Sequence, residues 1–322
     1  MPGCKASEAL CPGERMMTET QLANLVRMDS PEAVFEEVVT ILKMILPSFE
    51  STPLHEAFET VVRLFRGQYP GYKACNTQYH NLRHTTDDFL AMARLIHGST
   101  LQGHVFSPSL ITIALIATLF HDVGYIQETE DREGTGAKYT IGHVRRSMDF
   151  LEQYGRGKGL PDQEIHAGRT MILCTELGTD FSRIRFPSKE VELLGRMLGT
   201  ADLLAQMADR TYLEKLLFLY YEFKEGRIGD YESEEDFLRK SISFFEFAKD
   251  RLKNTLGGVD RFMLSHFAHR WGIHTDLYRE SMDRHHMYLE EILQKPDFTP
   301  DSYLKRDGIV KKVRALYGPN GR

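Results

Sequence analysis

Two histidines and two aspartates follow one another near residues 79–88, at spacings that suit metal binding. The segment reads YHNLRH from residue 79 to 84, and Asp87 and Asp88 follow. If the segment is helical, His80 and His84 lie one turn apart on the same face, and Asp88 continues that face. We therefore expect Asp88 to hold the second ring nitrogen of a ligating histidine.

Two further segments place carboxylates in apolar surroundings. His121 and Asp122 close the apolar stretch SLITIALIATLF, and Gly124 follows as an expected end of that helix. Asp202 stands alone in GTADLLAQM. A charged carboxylate in such a setting is costly to bury unless it is paired or binds a cation. Both aspartates are therefore candidate metal ligands.

Four of these residues form a plausible ligand set. His84, His121, Asp122 and Asp202 supply two imidazoles and two carboxylates. This mixture suits zinc, manganese, iron or magnesium, with positions left open for water. Water bound to such an ion becomes a hydroxide near neutral pH, which is the nucleophile that phosphoester hydrolysis needs. The sequence therefore predicts a hydrolytic metal site.

Helices are the elements that must position this set. Ser30-Pro31 is an N-cap followed by proline, and helical apolar periodicity continues from there. Strand signals are almost absent, and no linker is long enough to force a domain boundary. We predict an all-α protein with a flexible leader over residues 1–28 and one helical domain over 29–322. After the first helix, further helices are expected at about 53–66, 78–97, 108–122, 141–154, 162–177, 188–207, 210–225, 233–254, 258–271, 275–294 and 301–316.

Composition limits the class of protein and of partner. Of 322 residues, 42% are hydrophobic and 27% are charged, which allows a sizeable core. The net charge is −6 and no Lys/Arg-rich stripe occurs, so a nucleic-acid partner is not expected. The N-terminus lacks the apolar segment of a signal peptide, and the longest apolar run, Leu110 to Phe120, is too short to span a bilayer.

Cysteine usage favours a reducing compartment. Cys4, Cys11, Cys75 and Cys174 form no CxxC pair, which is typical of reduced thiols rather than of a disulfide framework. We expect a cytoplasmic protein with no membrane partner. Nothing in the sequence indicates the oligomeric state.

Several stretches resemble the metal-dependent phosphohydrolases of the HD superfamily. The order H…HD…D is theirs, and YHNLRH is similar to the YHNxxH motif of cyclic-nucleotide phosphodiesterases. LIATLFHDVGY resembles the HD helix of those enzymes, MILCTELGTDF their "LATD" segment, and GTADLL their final "ADLS" aspartate. The similarity covers roughly residues 75–210, in the family's order. It implies an HD-domain, phosphodiesterase-like helical bundle with its metal-site core at about 75–210.

The resemblance also implies roles for individual residues. His84, His121, Asp122 and Asp202 would be metal ligands, and Asp122 would bridge to a second divalent ion. His80 would be the general acid that protonates the leaving alkoxide. His80 and Asp122 are thus the implied catalytic residues, and the ions are zinc, manganese, magnesium or iron.

Two more residues enter the implied metal site by resemblance. Glu176 takes the place of the family's acid near the second metal. His143, in GHVRRS, is similar to the third histidine of many two-metal HD proteins. Both residues are therefore candidate metal ligands.

The sequence departs from the phosphodiesterase pattern at two points. Tyr125 stands where the second histidine of the HDxxH motif is expected. The purine-clamping glutamine is missing, because Gln206 and Gln294 are the only glutamines after Asp202 and both are badly placed. The resemblance therefore supports the metal centre better than it supports cyclic-nucleotide specificity.

A second group of histidines lies towards the C-terminus. Its spacings fit no standard zinc pattern, and aromatic residues surround it, which favours a packing role. The group comprises His266, His269, His274, His285 and His286.

The expected function is hydrolysis of a phosphoester, either a phosphodiester or a (cyclic) nucleotide, by a metal-bound hydroxide with His80 as general acid. Two alternatives stay open. One is a di-iron oxygenase, because some HD-type folds use the same ligand order to activate oxygen. The other is a regulatory pseudoenzyme that binds a nucleotide without cleaving it. The retained His80 argues against the pseudoenzyme, because a binding module does not need a general acid.

Overall fold

The computed structural model describes residues 21–318, and these residues form an all-α protein. The described chain contains no β-strand, and its one isolated β-bridge joins Tyr72 to Glu128. The predicted all-α class is therefore confirmed. The first seven helices are α1 Pro31–Ile45, α2 Thr52–Phe65, α3 Leu82–Leu101, α4 Pro108–Phe120, α5 His143–Lys158, α6 Asp162–Leu173 and α7 Lys189–Ala208.

The C-terminal half adds six more helices to the described part of the chain. One long helix was predicted over 301–316, and this prediction was wrong. Asp307 (φ 52°) and Gly308 (φ 64°) adopt left-handed backbone conformations that a continuous helix cannot contain. The six helices are α8 Tyr212–Gly226, α9 Glu234–Asp250, α10 Phe262–Trp271, α11 Leu277–Leu293, α12 Pro300–Tyr303 and α13 Ile309–Tyr317.

Helix α3 lies at the centre of the fold. It packs against α1, α4, α7 and α10, and every residue from His84 to Ser99 is buried. A helix that is buried on all sides normally carries apolar residues all round. Here the buried stretch includes His84, Asp87 and Asp88, so the packing of α3 carries polar side chains into the interior.

Helix α4 is apolar on all of its faces. Among the described residues, only the segment Pro108–Tyr125 has the length and composition to cross a membrane, and 78% of it is buried within the fold. Its neighbours are α2, α3, α5, α6 and α7. A core helix has the same composition, so α4 brings His121, its C-cap residue, into the interior.

The predicted leader over residues 1–28 lies mostly outside the described residues. Its described end, from residue 21 onward, contains the short 3₁₀ turn Leu22–Asn24. Leu22, Leu25, Val26 and Met28 pack against the hydrophobic core.

Candidate metal site

Three carboxylates lie around the Nε2 atom of His84. His84 lies in the first turn of α3, and its Nε2 atom is 3.2 Å from Asp122 Oδ2, 3.3 Å from Asp88 Oδ2 and 3.5 Å from Asp202 Oδ1. Asp202 reaches the site from the middle of α7. The cluster thus joins three segments that are far apart in the sequence.

His121 completes the cluster from the end of α4. Its Nδ1–H donates to the carbonyl oxygen of Thr118 at 2.7 Å, which leaves Nε2 with its lone pair. That Nε2 atom lies 3.3 Å from Asp88 Oδ2 and 3.5 Å from Asp122 Oδ2. A lone pair that faces two carboxylate oxygens is repelled by them unless a proton or a metal ion lies between.

Several atoms at the centre of this cluster are buried without a hydrogen-bond partner. They include both carboxylate oxygens of Asp88, Asp122 Oδ2 and His121 Nε2. A buried polar atom without a partner is costly, and a buried unpaired charge costs still more. His84, Asp88, His121 and Asp202 each offer an atom within 4.8 Å of the others, and this group could hold a metal ion. The unpartnered atoms and the donor chemistry fit such an ion.

Asp88 has a different place from the predicted one. We expected it behind a ligating histidine, at the second ring nitrogen. Instead its Oδ2 atom faces the same Nε2 atoms of His84 and His121 as Asp122 Oδ2 does. The reason is that Asp88 lies one turn after His84 on the same face of α3, so its carboxylate reaches the same centre as the His84 ring. Burial, and then the charges of Asp202 and Asp122, raise the pKa of Asp88 well above its ordinary value.

The two oxygens of Asp122 face different partners. Oδ2 faces His84 and His121, and Oδ1 lies 3.6 Å from His143 Nε2. Burial alone would raise the pKa of the Asp122 carboxyl, but the surrounding histidines hold it well below its ordinary value. Asp122 is therefore an anion placed between the main cluster and His143, as a bridging ligand would be.

His143 reaches the site because Gly124 lets two backbones approach. A Cβ atom on Gly124 would lie 2.0 Å from the carbonyl oxygen of His143, which no side chain can tolerate. The contact is fixed by Gly124 N–H, which donates to Ser147 Oγ at 2.9 Å. His143 itself donates Nδ1–H to the carbonyl oxygen of Thr140 at 2.7 Å, so Nε2 faces Asp122.

Glu176 lies on the wall of the same cavity as Asp122, His143 and Asp202. Its carboxylate accepts a hydrogen bond from Thr179 Oγ1 at 2.9 Å. It is not a member of the converging group formed by His84, Asp88, His121 and Asp202 within the described chain.

His80 lies in the loop before α3, so the predicted helical turn between His80 and His84 was wrong. Helix α3 begins at Leu82 because the Asn81 side chain caps it, accepting from the backbone N–H groups of Arg83 at 3.0 Å and His84 at 3.2 Å. His80 is nevertheless near His84, with ring centroids 5.8 Å apart. The loop therefore brings it to the cluster.

Glu222 holds His80 in place, and the sequence analysis missed this residue. His80 Nδ1 donates to Glu222 Oε2 at 2.7 Å. The other oxygen of Glu222 accepts from the backbone N–H groups of Gln78 at 2.7 Å and Tyr79 at 2.6 Å. Burial would lower the pKa of His80, but the hydrogen bond and charge of Glu222 raise it above its ordinary value. The sequence offered one signal for this role. Glu222 is the single acid in the run FLYYEF of α8, and it is buried in the structure.

Tyr125, which stands where the HDxxH pattern has its second histidine, lies between two histidine rings. Its ring stacks on His80, with centroids 4.2 Å apart, and on His143, with centroids 4.4 Å apart. The three rings form a layered stack beside Asp122. Tyr125 therefore separates the His80 and His143 rings. The phosphodiesterase motif has a metal ligand at the same position in its sequence.

Comparison with protein families gives one match. The model of the Npun_R2479-like family matches residues 70–252, which is more than half of the 322 residues. The chain belongs to the Npun_R2479-like family. Neither a curated protein nor a solved structure matches the chain.

The segment that matches the Npun_R2479-like family contains the whole candidate site. It includes the ligand cluster from His84 to Asp202, and also His80 and Glu222. It further encloses a cavity of about 370 Å³ whose lining residues all lie between Tyr79 and Phe244. The cluster and a small-molecule-sized cavity thus belong to the same family segment.

Gln206 lies in this family segment but is not free to bind a ligand. Its Nε2 atom donates to the backbone oxygen and to Oδ1 of Asp202, both at 3.0 Å. Its Oε1 atom accepts from the Tyr79 hydroxyl at 2.8 Å. The amide therefore orients the Asp202 carboxylate.

Proposed function

We propose that this protein is a metal-dependent phosphohydrolase built on an HD-type helical bundle. One observation carries the proposal. A buried cluster of histidines and aspartates opens onto a cavity that is also lined by His80, whose imidazole is fixed by a buried carboxylate. A cation site next to a positioned proton donor is an arrangement that supports phosphoester hydrolysis.

Five residues would hold the first ion: His84, Asp88, His121, Asp122 and Asp202. Such an ion supplies a Lewis acid that lowers the pKa of water and offsets phosphate charge. A set rich in carboxylates with two imidazoles suits manganese, iron, magnesium or zinc.

A second ion would be held more weakly. Asp122 Oδ1 and His143 Nε2 face each other at 3.6 Å, and Glu176 lines the cavity on the same side. Tyr125 occupies the place of a further histidine, which leaves this position poor in ligands. We therefore expect the second ion to exchange more readily than the first.

The chain's own residues bind the substrate and transfer a proton to it. His80 gives its Nδ1–H to Glu222, so Nε2 is the nitrogen available for transfer. Glu222 raises the pKa of His80 and so favours the protonated ring. The protonated His80 donates to the leaving oxygen of a small phosphorylated substrate in the cavity.

A substrate panel tests this function. The purified protein would be loaded separately with Mn²⁺, Mg²⁺, Zn²⁺ and, without air, Fe²⁺, and assayed with phosphomonoesters, phosphodiesters and cyclic nucleotides. We expect hydrolysis of at least one class, and loss of that activity in His80→Ala. If no metal form cleaves any ester, the proposal fails. Oxygen uptake by an iron-loaded form without hydrolysis would favour the di-iron oxygenase instead.

A further inference from the structure

The cavity beside the metal cluster continues into an apolar space between α8 and α9. Leu216, Leu219 and Phe223 line it from α8, and Phe237 and Phe244 line it from α9. Its volume of about 370 Å³ is at the lower end of the range for small-molecule sites. The space can therefore take an organic group that is attached to a phosphate at the cluster.

Several polar side chains on this wall already form hydrogen bonds within the protein. The Gln206 amide binds Tyr79 and Asp202. Ser241 Oγ donates to the carbonyl oxygen of Phe237 at 2.8 Å, and Thr175 Oγ1 to that of Ile172 at 2.9 Å. Thr140 Oγ1 likewise donates to the carbonyl oxygen of Ala137 at 2.6 Å. A ligand with many polar edges would lose hydration here and find mainly the Tyr212 and Tyr231 hydroxyls as free partners.

The single lysine among the described lining residues is also engaged. Lys240 Nζ donates to Asp236 Oδ2 and to the carbonyl oxygen of Asp230, both at 2.8 Å, and lies 5.4 Å from the Tyr231 ring centroid. Its charge is paired within α9 and the preceding loop. It therefore does not make the inner space attractive to a second anionic group.

Exposed apolar residues extend this surface to solvent. Ile141 is 76% exposed and Leu177 is 44% exposed, and both line the cavity. Phe247, which is 45% exposed, packs beside the lining residue Phe244 with ring centroids 5.8 Å apart. Exposed apolar groups that adjoin a cavity indicate a binding surface more than isolated ones do.

We propose that the substrate is a phosphoester whose organic group is an alkyl or aryl group rather than a nucleoside. This inference rests on the proposed function, because the phosphate is placed at the metal cluster. The apolar group lies between α8 and α9 against Leu219 and Phe223. A nucleobase would bring donors and acceptors to a wall that offers few free partners.

Binding of phosphonates tests the inference without relying on turnover. The metal-loaded protein would be titrated calorimetrically with methylphosphonate, hexylphosphonate, phenylphosphonate and the non-hydrolysable phosphonate analogue of thymidine 5′-monophosphate. We expect Kd to fall at least about tenfold from the methyl to the hexyl compound, since each buried CH₂ adds to affinity. The thymidine phosphonate should bind no more tightly than methylphosphonate.

A matched pair of variants locates the effect. Leu219→Gln places an amide in the apolar wall at a partly exposed position, and should remove most of the hexyl-to-methyl preference. Leu264→Gln makes the same change at a residue of α10 that is 45% exposed and outside the cavity lining, and should leave the preference intact. Equal loss in both variants would contradict the assignment of the wall.

The outcomes separate this inference from the proposed function. Tight hexyl selectivity without hydrolysis of any ester would keep the apolar subsite and overturn the hydrolase. Hydrolysis with equal affinity for all phosphonates, or with the thymidine phosphonate bound most tightly, would keep the hydrolase and overturn the apolar substrate class.

Discussion

Within residues 21–318, two clusters in which buried histidines meet differ in the charge of their surroundings. In the first, His84 and His121 face Asp88, Asp122 and Asp202 at 3.2–3.5 Å. In the second, His97 and His266 meet each other, with their Nδ1 atoms 2.9 Å apart. The second pair has His269, Arg94 and Arg270 as charged or titratable neighbours.

The difference decides what each group can bind. Burial and nearby cationic groups lower the pKa of His97 to about 4 and that of His266 to about 2, so both rings are neutral. One ring donates to the other, and a metal cation would be repelled by Arg94 and Arg270. In the first group, the carboxylates attract a cation. The sign of the neighbouring charges, more than the number of histidines, therefore identifies a metal site.

The largest expected effect comes from removing the shared carboxylate of the first group. Asp122→Ala takes away the atoms that face His84, His121 and His143. We expect bound metal and phosphoesterase activity to disappear together. Elemental analysis and the ester assay on the same preparation measure both. Full activity in a metal-free variant would show that the reaction does not depend on the metal cluster.

A smaller effect distinguishes the proton donor from the ligands. His80→Ala should keep its metal and lose about 10²–10⁴-fold in turnover, because general acid catalysis typically supplies that factor. The loss should shrink for nitrophenyl esters, whose leaving groups need little protonation. Glu222→Gln is the matched variant, and should reduce turnover less than His80→Ala does. If His80→Ala loses its metal, His80 is a ligand and the assigned role is wrong.

The second histidine group should affect stability and not metal binding. Unfolded histidines have a pKa near 6.5, whereas those of His97 and His266 are lowered, so the unfolded state binds more protons as pH falls. The free energy of unfolding should therefore decrease from about pH 6.5 towards about pH 4. His266→Phe should make this slope shallower by up to about 1.4 kcal/mol per pH unit. Urea unfolding across that pH range measures it, and an unchanged slope would contradict the neutral pair.

The smallest effect is expected at Tyr125. Tyr125→Phe keeps the aromatic ring between His80 and His143, and should change metal content little and turnover by less than about threefold. Tyr125→Ala removes the spacer and is the matched comparison. A tenfold loss in Tyr125→Phe would show that the hydroxyl takes part in the reaction.

Residue type and spacing in the sequence were enough to predict part of this site. Asp122 and Asp202 were chosen because a charged carboxylate in an apolar helix needs a partner, and His84 because of its spacing in YHNLRH. The fold brings these three together with His121. The all-α class followed from helical periodicity without strand signals.

Other features depend on contacts between distant segments, which spacing cannot give. Glu222 lies 142 residues from His80 and its role appears only when α8 packs against the loop. Asp88 lies on the face that its spacing predicts, but the ring nitrogen of His84 that it meets depends on how packing orients that ring. His80 lies outside α3 because the side chain of Asn81, the next residue, caps the start of that helix.

Metal content compared across the two histidine groups tests the central claim most directly. The unmodified protein, His84→Ala and His266→Phe would be stripped with a chelator, reloaded with Mn²⁺ or Zn²⁺, dialysed and analysed by mass spectrometry for metal per chain. The account predicts at least one ion per chain in the unmodified protein and in His266→Phe, and none in His84→Ala, with all three folded by circular dichroism. An unmodified protein that retains no ion, or a His266→Phe variant that loses it as completely as His84→Ala, would contradict the account.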